Sequence, residues 1–264
     1  MGTALQMLEE RHPGPALAWA GALIGCMVVD ALLGRWALLP FFVAAFYGGM
    51  VAIDLVAYPL LEPWRMWLRT RGVWAWYIVE VGGLWIGTAV VFALLAPWWL
   101  GWDWNAAWPL RAPLGSLVLL SSAGVGVWAL WRMGWARILF AAALFPPEAV
   151  AEESRIPQRL VVEGPYRYVR NPLYDTDVGV MIGTVLLTGK WFVGAVLAAY
   201  LVQLGMQLYL EEQELKTRFG EAYERYCRLV PRFVPRLTPV DPDEISGRRS
   251  WRSADYLERK ELNQ

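Results

Sequence analysis

Apolar residues run through this chain in blocks about as long as a bilayer is thick, and polar residues gather at the breaks between them. A membrane-crossing helix needs about 20 mostly apolar residues. Residues 16–34, 37–61, 73–100 and 114–131 each meet that requirement. The run 178–210 is too long for one ordinary span. Turn-type residues at Thr188-Gly189-Lys190 interrupt it, so it reads as a hairpin of two helices. The pattern predicts an all-α polytopic membrane protein of about six transmembrane helices. Residues 135–147 are apolar but too short to cross, and Pro146-Pro147 ends them, which suits a segment lying at the interface.

Charge then orients the spans. With six of them, the exposed segments alternate sides, and all but three of the 24 Lys and Arg residues fall on one side. Arg35, Arg111 and Lys190 are the exceptions. Cationic loops stay cytoplasmic, so both termini and the segments 62–72, 132–177 and 211–264 are expected there. An odd number of spans would scatter the charges. The expected location is integral to a membrane, multi-pass, with a bacterial inner membrane the natural setting. The first apolar block follows Glu9-Glu10-Arg11 rather than a basic leader, so no cleavable signal peptide is expected.

Composition agrees and removes several function classes. The chain is 57% hydrophobic with 17 Trp, against about 45–50% apolar residues in soluble domains. Its 24 basic and 24 acidic residues leave no cationic excess for nucleic acid. The lone histidine, His12, and two cysteines give no metal-ligand spacing. Cys26 lies in an apolar block and Cys227 in a polar one, so a disulfide between them is not expected. Pairs at Trp74/Trp76, Trp98/Trp99 and Trp102/Trp104 fall at span ends, where indoles favour the headgroup zone. Gly48-Gly49 and Gly82-Gly83 suit close helix packing.

Two polar motifs flank the predicted hairpin. The first is Gly164-Pro165-Tyr166-Arg167-Tyr168-Val169-Arg170-Asn171-Pro172-Leu173-Tyr174. The second begins Glu211-Glu212-Gln213-Glu214-Leu215 and continues through Phe219-Gly220, Tyr223, Tyr226 and Val230-Pro231-Arg232. Pro165 and Pro172 keep the first motif from forming one continuous helix. Irregular backbone at membrane depth is tolerated where protein or a polar cavity receives its free groups. At 3.6 residues per turn Glu211 continues the face of Gln207 and Leu208, and Glu212 that of Leu208 and Tyr209, so one of the two carboxylates should point inward. Arg167 and Arg170 offer planar guanidinium forks for a carboxylate, and the tyrosines offer apolar faces with polar tips.

In this order, with a membrane hairpin between them, the two motifs resemble those of the integral-membrane methyltransferases related to isoprenylcysteine carboxyl methyltransferase and phospholipid N-methyltransferase. The resemblance covers roughly residues 155–237. It implies S-adenosylmethionine as cofactor, a cytoplasm-facing cofactor pocket in a helical bundle, and methyl transfer to a lipophilic or amphipathic acceptor with a carboxylate, amine or thiol nucleophile. Membrane lipids are the implied surroundings and partners. An Arg of the first motif and a Glu of the second carry catalysis in the family, which maps to Arg170 and Glu212. The cofactor-binding set it implies is Gly164, Pro165, Tyr166, Arg167, Tyr168, Asn171, Pro172, Tyr174, Glu211 and Glu212. On this reading residues 1–113 are an N-terminal set of three spans, 114–237 the methyltransferase core and 238–264 a solvated cytoplasmic tail, with Ser253 capping a short helix over 254–262.

Three residues depart from the commonest family pattern. Asn171 stands where His is usual and cannot serve as a general base. Thr176 replaces a Gly, and Gln213 replaces a Pro that follows the paired glutamates. Asp175 and Asp177 flank Thr176 at a helix start, where the dipole favours acids. Asp30, Asp54 and Glu80 are ionisable groups in or near other spans, where such residues are costly and often functional. Two rivals stand beside the methyltransferase. Tyr223–Pro231 resembles the Y-x-x-Y-C-x-x-V-P ending of membrane sterol reductases, which implies an NADPH-dependent reductase. Asn171 and Thr176 would also fit a non-catalytic membrane scaffold.

Overall fold

The computed structural model describes residues 13–57, 83, 85–99, 101, 103, 104, 108–133 and 160–245. Expectations for His12, Trp74, Trp76, Glu80, Gly82, Trp102, the 135–147 segment and the 254–262 helix lie outside these residues, as does the side chain of Asp54. All regular structure among the described residues is helical. The helices are α1 (Gly14–Leu33), α2 (Leu38–Ala57), α3 (Ile86–Trp99), α4 (Trp108–Met133), α5 (Pro172–Thr188), α6 (Trp191–Phe219), α7 (Glu221–Leu229) and a single turn, α8 (Pro242–Ile245). Three described helices have the length and apolarity to cross a membrane: Ala16–Leu33, Trp108–Met133 and Trp191–Phe219. The helices Leu38–Ala52 and Ile86–Trp99 are apolar but shorter.

The helix boundaries follow local chemistry. Gly34 (φ 63°) and Gly189 (φ 75°) close α1 and α5 in the left-handed conformation, which glycine enters without a Cβ clash. The hairpin break expected at Thr188-Gly189-Lys190 is therefore real. Asp30, weighed above as a functional acid, is structural. Its buried carboxylate accepts hydrogen bonds from the Ala37, Leu38 and Leu39 N–H groups at 3.1, 3.0 and 2.8 Å. It caps α2 from the end of α1, satisfying donors that the first turn of a helix leaves without partners.

α4 and α5 make the most extensive helix–helix contact, and glycine sets their spacing. A Cβ at Gly183 would lie 2.6 Å from Leu119 N, and one at Gly115 would lie 2.3 Å from Leu187 N. At Gly126 it would meet Thr176 Cγ2 at 2.6 Å. The Thr176 departure is thus answered across the seam. The larger residue sits on α5, its hydroxyl donating to Ser122 C=O at 3.2 Å, and the glycine sits on α4. Gly48 and Gly49 likewise pack closely against Phe92 and Trp85 as expected, whereas no described residue lies within 4 Å of a Cβ placed at Gly83.

Two expectations from charge and aromatic placement need correction. Trp99 is not an interface anchor: it is buried, its ring centroid lies 3.9 Å from that of Phe192, and its indole N–H donates to Phe92 C=O. Trp98 beside it is exposed. Arg111 and Lys190 are buried rather than loop cations. Arg111 Nη1 donates to Leu186 C=O at 2.7 Å, stabilising the carbonyl end of α5, with Trp104 and Trp108 rings 4.9 and 5.4 Å from its guanidinium carbon. Lys190 pairs with Asp103 at 2.5 Å. Desolvation explains the arrangement, because a cation kept at a buried helix end must have partners.

Candidate functional site

The two motifs, 42 residues apart at their charged centres, meet in space. Arg170 Nη1 lies 3.4 Å from Glu212 Oε1, and Arg232 Nη2 lies 2.6 Å from Glu212 Oε2. One carboxylate therefore stands between two guanidinium groups. Arg170 Nη1 also donates to Cys227 Sγ at 2.7 Å. Arg170 Nε is buried with no hydrogen-bond partner among the described residues. Glu211 is held separately: Tyr174 OH donates to its Oε2 at 2.7 Å. Both glutamates thus face the first motif, where the helical register allowed one.

The elements that deliver these groups follow from the motif residues. Gly164 adopts φ 62°, and a Cβ there would come within 2.7 Å of Arg132 Cγ and 3.0 Å of Trp128 Nε1. No side chain fits, so the chain turns tightly against the end of α4. A 3-10 turn (Gly164–Arg167) follows, with buried Pro165 C=O accepting from the Tyr168 and Val169 N–H groups. Pro172 starts α5, where its missing N–H costs nothing. Gln213 lies inside the continuous α6, so replacement of the usual Pro leaves the helix unbroken as far as Phe219. Gly220 (φ 50°) then turns the chain into α7.

A C-terminal strap completes the wall. Arg170 N–H donates to Pro231 C=O at 2.8 Å, Arg236 N–H to Tyr168 C=O at 3.0 Å and Val240 N–H to Arg167 C=O at 3.1 Å. Asn171 Nδ2 donates to Arg232 C=O at 3.2 Å. The side chain of Asn171 therefore holds the strap instead of capping α5. Val240 and Ile245 are buried with Val162, Tyr223, Tyr226 and Val230. The solvated tail expected from residue 238 accordingly packs on the site's outer face as far as Ile245.

Several predicted residues support the site rather than enter the charged cluster. Arg167 does not join Arg170 in a fork; its Nε donates to Val240 C=O at 2.7 Å. Tyr166 is buried, with its hydroxyl 3.7 Å from Met133 Sδ and its carbonyl accepting from Tyr226 OH at 2.8 Å. Tyr168 packs against Trp128 at 6.2 Å. Burial pushes the phenols of Tyr166, Tyr223 and Tyr226 well above the ordinary tyrosine range, so they stay protonated hydrogen-bond donors near neutrality. Arg232 and Cys227 were missed as site residues. Arg232 was visible in the Val-Pro-Arg ending, but nothing in its spacing says that the strap folds back 20 residues onto Glu212.

Residues 110–222 match the phospholipid methyltransferase family model. Over that stretch the chain is similar to the family. The matched stretch runs from the start of α4 into α7 and contains both halves of the Arg170–Glu212 pair. The chain is also 28% identical over 162 residues to a methanethiol S-methyltransferase of Crocosphaera subtropica, across 56% of this chain and 60% of that protein. It thus spans about three fifths of the length of this curated relative. No solved structure matches. Among the described residues, no group of three or more His, Cys, Asp or Glu is placed to hold a metal ion.

Proposed function

We propose that this protein is an S-adenosylmethionine-dependent methyltransferase that works in the membrane on a lipophilic or amphipathic acceptor. The observation that carries the reading is the Arg170–Glu212–Arg232 cluster, built from two motifs and a strap around the family-matched stretch. The amino-acid end of the donor is a zwitterion, needing one cation and one carboxylate. The cluster supplies both charges, and the orphaned Arg170 Nε is a donor that an added acceptor would satisfy. The residues therefore fit the cofactor. When bound, S-adenosylmethionine supplies an electrophilic methyl group on a positively charged sulfur.

The chain's own contribution is positioning and exclusion of water. Arg170 and Glu212 hold the donor's charged end, while Gly164, Pro165, Tyr166, Arg167, Tyr168, Asn171 and Pro172 build the wall that keeps Arg170 in place. Tyr174 and Glu211 form the side nearest the bundle. Asn171 offers hydrogen bonds and no titrating nitrogen, so proton removal from an acceptor falls to another group or to solvent. The family description favours a lipid acceptor and the cyanobacterial relative's name favours a small thiol, so the reaction class is methyl transfer to an amine, carboxylate or thiol.

The placement we infer is a multi-pass bundle of six spans with the site on the cytoplasmic side. Helix length supports it. From Trp191, about 20 residues cross the hydrocarbon region, which carries α6 to Leu210 and leaves Glu211 and Glu212 just beyond. The deciding experiment is calorimetric binding to the detergent-purified protein. S-adenosylhomocysteine should bind and NADPH should not; binding of NADPH alone would replace the methyltransferase with the reductase. Transfer of a labelled methyl group to methanethiol or to phosphatidylethanolamine vesicles then assigns the acceptor class.

A further inference from the structure

One carboxylate shared by two arginines is an unbalanced arrangement, and the two arginines are not equivalent. Arg170 is held on several sides. Its backbone N–H is bonded to Pro231 C=O, its Nη1 contacts both Cys227 Sγ and Glu212 Oε1, and its side chain is only 13% exposed. Arg232 is held at the backbone by Asn171 Nδ2 on its own carbonyl and by Arg170 N–H on the carbonyl before it, and its side chain by Glu212 Oε2 at 2.6 Å. Its side chain is 47% exposed, against 14% for Glu212. The strap therefore brings a cation to a fixed point beside the cluster, with a half-exposed guanidinium tied to Glu212.

From this geometry we propose that Arg232 is the residue that binds the donor's carboxylate, and that its contact with Glu212 is the resting form of a latch. The inference rests on the methyltransferase reading above. In the resting form Arg232 neutralises Glu212. On donor binding the ammonium group takes the place of Arg232 on Glu212, and the released guanidinium pairs with the donor's carboxylate. No covalent bond changes, and every charge finds an opposite neighbour. Opening costs little, because an ion pair with a half-exposed partner is worth little in water. Arg suits the task better than Lys, since its planar fork takes both oxygens of a carboxylate. Arg170, fixed by Glu212 and Cys227, is the stationary half of the site: it aims Glu212 at the ammonium and leaves Nε for the carboxylate that Arg232 clasps.

The consequence is selectivity for the amino-acid end of the ligand, and this separates a binding role from a structural one. S-adenosylhomocysteine carries that end, whereas 5′-methylthioadenosine keeps the adenosine and thioether and lacks it. Both would be titrated into the full-length protein in detergent. For Arg232→Ala, affinity for S-adenosylhomocysteine should fall about 10- to 100-fold, the range expected from loss of one charge-assisted contact. Affinity for 5′-methylthioadenosine should not change. Arg232→Lys should recover part of the loss, and Arg232→Gln, which keeps a polar side chain without the charge, should behave as the Ala variant and serves if that variant is unstable. An unchanged affinity for S-adenosylhomocysteine in Arg232→Ala and Arg232→Gln would overturn the proposal. An equal loss for both ligands would overturn it too, since that marks a purely structural role. If the native chain binds neither ligand, the methyltransferase reading itself has failed, and the latch with it.

Discussion

Replacing Glu212 by Gln tests the site at its centre. The carboxylate has one oxygen 3.4 Å from Arg170 Nη1 and the other 2.6 Å from Arg232 Nη2. The amide keeps one acceptor oxygen and turns an NH2 group toward whichever guanidinium the oxygen does not face. One contact becomes donor against donor, and the other loses its charge. A hydrogen bond to a charged group contributes about 1.5–3 kcal/mol, which corresponds to about tenfold to somewhat over a hundredfold in affinity. The stability cost should stay near 1 kcal/mol, since Arg232 is half in solvent and its pairing is screened. Binding should therefore collapse while the protein remains folded. Titration with S-adenosylhomocysteine, with thermal unfolding in the same detergent, separates the two effects. Arg170→Ala should show the same loss of binding. Glu211→Gln, which leaves Tyr174 OH an uncharged amide oxygen as its acceptor, should be milder. If Glu212→Gln binds as tightly as the native chain and Glu211→Gln does not, the pocket carboxylate is Glu211 and the assignment fails.

Three further outcomes are expected. Asn171→His should retain ligand affinity, because imidazole can still donate to Arg232 C=O, and its pH–rate profile can gain a group titrating between about pH 5 and 8; Asn171→Leu should weaken binding by freeing the strap. Native affinity and turnover in Asn171→Leu would remove that residue from the site. Gly183→Ala should destabilise the fold by about 1–3 kcal/mol through overpacking against the Leu119 backbone, whereas Gly205→Ala, with nothing within 4 Å of its added Cβ, should be neutral or stabilising by up to about 1 kcal/mol; equal melting temperatures for the two would refute the seam. A cysteine introduced at Asp103 should react with an impermeant reagent applied to intact cells and one at Arg155 should not, and the reverse pattern would invert the orientation.

The helices were legible where a simple period decides them. The blocks that became α1, α2, α4, α5 and α6 could be drawn from apolar runs, and the α5–α6 break from Thr188-Gly189-Lys190. Both motifs could be read from residue order, because their proline and glycine positions constrain the backbone locally. The partners of charged residues were not legible. Asp30 looked like a buried acid with a task and is a helix cap, since its partners are three N–H groups that any sequence would supply. Arg111 and Lys190 looked like outward-loop cations and are buried at the end of α5. Arg232 and Cys227 reach Arg170 and Glu212 through the fold of the strap, a tertiary contact with no period to announce it.

The strap carries a consequence for how the protein is made. Synthesis runs from the N-terminus, and domains form in that order. Every described helix of spanning length ends by Phe219, yet the Arg170 N–H and the Tyr168 and Arg167 carbonyls take their partners from Pro231, Arg236 and Val240. A ribosome that has delivered the whole bundle to the bilayer has not yet delivered the clasp that shapes the first motif. Completion of the charged cluster is thereby tied to translation past residue 240. A nascent or prematurely terminated chain would carry the bundle without the finished charged cluster.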